Sequence, residues 1–118
     1  PRLDARLPGL EARSPRIGIV GRADGLPSHV EHFASPAALA ADPALHVLVE
    51  GGMWLAASLL AADLVDRLIL MRAPILIGGG RTLGDIGLAD LPAAHGRWRA
   101  DAAMTLGPDR IERYTRTR

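Results

Sequence analysis

Residues Val47 to Leu60, VLVEGGMWLAASLL, run on into LVDRLILMR, and this succession constrains the chain more than any other stretch. His46–Val49 is β-branched and apolar and reads as a strand. Met53 to about Ala62 reads as a helix of roughly three turns. Leu68–Arg72 reads as a second strand. Strand, helix, strand is a βαβ unit, which requires a parallel pair and a right-handed crossover. Asp63 falls where a helix-ending glycine often stands, and Asp tolerates the left-handed conformation better than most residues.

The flanks add further elements. PRLDARLPGLEARSP, at the start, mixes proline and charge without a sustained period and reads as loop. RIGIV, Arg16–Val20, reads as a strand ended by Gly21 and a Gly/Pro-containing turn. Ser35 is a candidate N-cap, with Pro36 at the first helical position and AALAA behind it, so a short helix is expected before Asp42-Pro43. Residues 81–96 read mostly as loop. Trp98, Ala100, Ala102, Met104 and Leu106 alternate as a half-buried strand would, GPD makes a turn, and RIERYTR returns as the partner. The fold class expected is α/β, a mixed sheet with a parallel centre, a C-terminal antiparallel hairpin and helices on its faces.

Composition narrows the chemistry. The chain has 118 residues, enough for one domain with a core. Apolar residues make up 48% but aromatic ones only 3%, so Leu, Ile, Val and Ala must fill that core. A net charge of +1 gives no case for a nucleic-acid partner. The 14 basic residues are all arginine, which rules out a Schiff-base or P-loop lysine. Arginine suits bidentate grips on phosphate or carboxylate, although a GC-rich coding sequence is the better explanation for most of them. Without cysteine there is no disulfide, thiolate zinc site or thiol nucleophile. No apolar run approaches the ~18 residues that span a bilayer. A soluble cytoplasmic protein with no membrane partner is expected.

The candidate site is the seam itself. Ligands of α/β sheets bind outside the carboxyl ends of parallel strands. Glu50-Gly51-Gly52 occupies such an end, just before a helix whose first N–H groups lack intrahelical partners and face the positive end of the dipole. Glycines let a phosphate approach those groups without an intervening Cβ. A tight turn alone would also use Gly51-Gly52, and Glu50 could be a solvated strand tip. Beside a phosphate, however, Glu50 would be repelled, so its carboxylate should face a hydroxyl or amine of a second ligand. Gly78–Gly80 reads as a connection rather than a second ligand loop. His29, His32, His46 and His95 lack metal-ligand spacing and read as surface residues, so no metal is expected. Neither a G-x-S-x-G nucleophile signature nor a zinc-deaminase signature is present.

VLVEGGMWLAASLLAADLVDRLILMRAPILIGGG resembles the C-terminal reductase domain of bacterial bifunctional riboflavin-biosynthesis deaminase-reductases. The landmarks are the V-E-G-G seam, the L-A-x-S-[FL]-L helix, the LVD that opens the strand and the AP-x-[LI]-[LI]-G-G loop. LGPDRIERYTR is similar to that family's terminal hairpin, and PRLDARLPGLEARSP to its D-D-P-x-L-x-x-R loop joined partway.

The resemblance implies a three-layer, dihydrofolate-reductase-like fold over residues 1–118, a homodimer, and NADPH as cofactor. The implied substrate is 5-amino-6-(5-phosphoribosylamino)uracil, whose ribose is reduced to a ribityl chain. Carried over by position, Glu50, Leu3 and Arg6 would contact substrate, with Arg6 suited to its phosphate. Gly51, Gly52, Met53, Trp54, Leu55, Ala56, Ala57 and Ser58 would hold the cofactor, as would Gly21 after the first strand, where the family often has Ser. No dedicated acid–base residue is implied. Two departures stand out. Trp54 occupies a position where a small or hydroxyl residue is common. The domain is expected to be incomplete on its N-terminal side and to lack residues between 21 and 46. The alternatives are a related NADPH reductase of another substrate, or a non-catalytic assembly module of the same fold.

Overall fold

The computed structural model describes residues 3–78 and 83–118. The chain divides into two compact units, residues 1–47 and 48–118. Both mix helix and strand: one contains a parallel pair, the other a three-stranded antiparallel sheet.

In the first unit a 3-10 turn, Glu11–Arg13, interrupts the expected loop. β1 (Ile17–Val20) then pairs in parallel with β2 (Val30–Phe33). The Phe33 ring lies over Gly18, where a Cβ would stand 2.7 Å from Phe33 Cε2. Helix α1 (Pro36–Ala40) begins as its sequence requires: the Ser35 hydroxyl accepts the Ala38 N–H at 3.2 Å, and Pro36 occupies the first turn. Arg16 joins these elements, reaching Glu31 at 2.9 Å and Asp42 at 2.6 Å. The Ala44 N–H holds the Asp42 carboxyl below the usual carboxylate range, and the Arg16 guanidinium adds to the effect.

In the second unit helix α2 (Met53–Ala61) buries Ala57, Leu59 and Leu60. It ends in a Schellman arrangement. The Leu64 N–H bonds to the Leu59 carbonyl at 3.0 Å and the Asp63 N–H to the Leu60 carbonyl at 3.2 Å. Asp63 takes the left-handed conformation expected of it, with φ 56°. β3 (Arg67–Arg72) follows, then a short helix α3 (Leu91–Ala94) capped by the Asp90 carboxylate, and the hairpin of β4 (Trp98–Leu106) and β5 (Asp109–Arg116). Strand order is β3-β5-β4. The hairpin loop is Gly107-Pro108, with φ 59° at Gly107 as the first position of a type II′ turn demands.

Three expectations are corrected. His46–Val49 forms no strand, and Val47 and Leu48 are 51% and 79% exposed. The βαβ unit is therefore not formed, and the parallel pair is β1 with β2 instead. A short apolar run has no ladder bond of its own. β3 takes β5 as its ladder partner, and the run is not in register with it. Second, the alternation along β4 is not half-buried: Met104 is 55% and Leu106 68% exposed, and a bulge at Asp101 breaks the period. Third, β2 lies where no strand is marked in the sequence, since Glu31 and His32 interrupt its apolar pattern.

Candidate functional site at the start of helix α2

Glu50, Gly51 and Gly52 are all exposed and lead directly into α2. Glu50 makes no hydrogen bond or ion pair with a described residue. The two glycines differ. A Cβ on Gly51 would stand 2.7 Å from Leu55 Cδ2 and 3.1 Å from its Cβ, so a side chain there would push Leu55 aside. A Cβ on Gly52 would meet nothing within 4 Å. Packing does not demand glycine at position 52.

Gly52 is the N-cap, extended, with no side chain to bond the helix. The first bond of the helix runs from the Ala56 N–H to the Gly52 carbonyl at 3.1 Å. The N–H groups of Met53, Trp54 and Leu55 precede it and lack an intrahelical acceptor. Open approach, orphan donors and the positive dipole end together suit an anion such as a pyrophosphate. The Trp54 indole, carried on the same first turn, is 71% exposed, and an added Cβ at Gly84 would lie 3.5 Å from its ring. Gly84 would also meet Ala57 at 3.3 Å, so this loop glycine backs the helix; only the contact reveals its role, because nothing local in the sequence marks it.

The later candidates on the helix are occupied internally. The Ser58 hydroxyl donates to the Trp54 carbonyl at 2.8 Å and to the Leu55 carbonyl at 3.1 Å. Ala57 is buried, and Met53, Leu55 and Ala56 are half-buried. Gly78 is described, whereas Gly79 and Gly80 lie outside the described residues.

Leu3, Arg6 and Gly21 belong to the first unit. Leu3 is half-buried, and exposed Arg6 pairs with Asp4 at 3.5 Å. Gly21 has φ 103°, a conformation that disfavours the serine common at this position in the related family. Its N–H extends the β1–β2 ladder to the Phe33 carbonyl, and its carbonyl accepts from His32 Nε2. The four histidines are exposed, and the described residues contain no group of His, Asp and Glu fit to hold a metal.

Comparison with known proteins decides the family. Residues 26–110 match the model of the RibD C-terminal domain. The chain belongs to this family. Over 64 residues it is 41% identical to the riboflavin biosynthesis protein RibD of Mycobacterium tuberculosis, in strain CDC 1551 and equally in strain H37Rv. The match takes in 53% of this chain and 19% of the relative, so the chain spans about a fifth of the curated proteins it matches.

Proposed function

We propose that this RibD C-terminal domain chain takes part in NADPH-dependent reduction of 5-amino-6-(5-phosphoribosylamino)uracil to its ribitylamino product in riboflavin biosynthesis. Family membership supports the reaction class, and one structural observation carries the cofactor site: Gly52, the N-cap before the unbonded N–H groups of α2, is open where packing does not require glycine.

On this reading Gly52 and the N–H groups of Met53, Trp54 and Leu55 hold the cofactor phosphates. Gly51 keeps Leu55 close and so fixes the start of the helix. The Trp54 face shields one side of the bound molecule from water. Met53, Leu55, Ala56, Ala57 and Ser58 shape and brace the turn, and the family resemblance adds Gly21 as a further cofactor-binding residue. Glu50 orients the sugar hydroxyls, and the family resemblance adds Leu3 and Arg6 as substrate-binding residues, Arg6 being suited to phosphate. Bound NADPH supplies the hydride that reduces C1 of the sugar in its open imine form. Holding donor and acceptor in reach and excluding water are the protein's main tasks, and no side-chain acid or base is assigned.

The wider reading includes a dihydrofolate-reductase-like, three-layer reductase domain acting as a cytoplasmic homodimer. The mixed α/β architecture supports the fold. Dimerisation is supported by β3 and β4, which both leave a sheet edge unpaired among the described residues. A solution mass twice that of the chain is expected by light scattering, and a monomer would remove this part.

The reaction is tested by mixing the protein with NADPH and the ribosylaminouracil phosphate and following nicotinamide absorbance. Consumption of NADPH with formation of the ribityl product is expected, with Glu50→Ala raising the substrate KM. Absence of turnover, together with cofactor binding indifferent to Gly52→Asp, overturns the reading.

A further inference from the structure

The three-stranded sheet carries a second charged feature that uses none of the residues assigned above. Ala100 pairs with Tyr114 and Ala102 with Arg113, which leaves Asp101 as the extra residue of a β-bulge. Its carboxylate, only 14% exposed, accepts a hydrogen bond from the Thr115 hydroxyl. Arg99 meets it at 3.1 Å and Arg113 at 3.6 Å, yet these arginines remain 72% and 49% exposed. The anion is therefore held inside while both guanidiniums extend into solvent.

A third arginine joins them. Arg67, Thr115 and Arg99 form one cross-strand row, and Arg113 lies in the next row on the same face. The Arg67 side chain is exposed and makes no hydrogen bond or ion pair with a described residue, although its field reaches Asp101. Arg67, Arg99, Arg113, Asp101, Ala100 and Thr115 line an open depression of about 510 Å³.

Charge selects the ligand class. Three guanidiniums against one carboxylate leave two positive charges in excess. A carboxylate ligand would balance one of them. A phosphate monoester carries about −1.5 to −2 near neutral pH and offers several acceptor oxygens to forked donors. We propose that Arg67, Arg99 and Arg113 form a binding site for a phosphate dianion, free or as the monoester of a small molecule, with Asp101 anchoring the two arginines beside it. Arg67 contributes its whole donor set, having no competing partner among the described residues.

Titration of the full chain with inorganic phosphate, followed by amide NMR at ionic strength held constant with sodium chloride, tests the site. Saturable shifts are expected at Arg67, Arg99 and Arg113 to Thr115, weakening as salt is raised. Arg67→Gln should reduce affinity by about fivefold or more, and Arg67→Lys by less, because a charge without the fork remains. Neither variant removes an ion pair, so the thermal midpoint should not move. Gly52→Asp, which blocks the proposed cofactor site, should leave these shifts in place. Absence of saturable shifts in the wild type, or affinity unchanged by Arg67→Gln, overturns the proposal. So does loss of the shifts in Gly52→Asp.

Discussion

Gly51 and Leu55 lie in close contact: a Cβ at position 51 would lie 2.7 Å from Leu55 Cδ2 and 3.1 Å from its Cβ. The neighbouring Gly52 has no such constraint. The pair therefore separates into a packing glycine and a glycine that keeps space open.

That separation is measurable. Gly51→Ala should overpack the start of α2 and cost about 1–3 kcal/mol, read as a lower midpoint in denaturant. Gly52→Asp should leave the fold intact, since Asp is a favoured N-cap and its charge suits the helix start. The same charge opposes a phosphate, so NADPH affinity should fall about tenfold or more, measured by fluorescence titration. Equal NADPH affinity in Gly52→Asp and wild type would remove α2 from the cofactor site.

Trp54 provides an optical reporter. Its indole is 71% exposed on the first turn of α2, whereas Trp98 is half-buried in β4. Tryptophan emission should drop when NADPH binds. Trp54→Phe should abolish most of that change and Trp98→Phe should preserve it. The reverse pattern would place the cofactor elsewhere.

Helix α1 tests a local prediction. The Ser35 hydroxyl accepts the Ala38 N–H, so Ser35→Ala should cost about 1 kcal/mol of stability. Ser35→Asp, which retains an acceptor, should recover most of it. A loss in the aspartate variant as large as in the alanine variant would show that the cap bond is not the cause.

Acid should loosen the second unit through Asp63. The Arg116 hydrogen bond is the main cause of its lowered pKa, with the charges of Arg116, Arg97 and Arg118 adding to it. A lowered folded pKa means that the unfolded chain binds the proton more readily. The stabilisation is then fully present above the ordinary Asp value of about 3.9 and is lost as pH falls through the lower folded value. Thermal midpoints taken from pH 6 downward should fall less steeply for Asp63→Asn than for wild type. Parallel slopes would contradict this assignment.

Local chemistry was legible wherever a signal and its partner lie within a few residues. Ser35 and Pro36 announce α1, and Asp63 marks the end of α2 because a left-handed residue closes two nearby carbonyl bonds. Gly107-Pro108 is a turn for the same kind of reason. Strands are different. Val47–Val49 has the composition of a strand without its ladder, while Val30–Phe33 has the ladder without the pattern. Composition permits a strand, but only hydrogen bonds to a distant segment make one.

The candidate site divides along the same line. By itself the sequence determined a helix opening on two glycines behind a carboxylate, because helical bonds and end effects act within one turn. Only the folded structure decided that Leu55 crowds position 51 while the space at position 52 stays open, since Leu55 must first be folded back against the turn. It also decided that Asp101, an unremarked residue in an alternating run, bulges out of register to gather Arg99 and Arg113. Register is a property of two strands, and the sequence of one strand does not contain it.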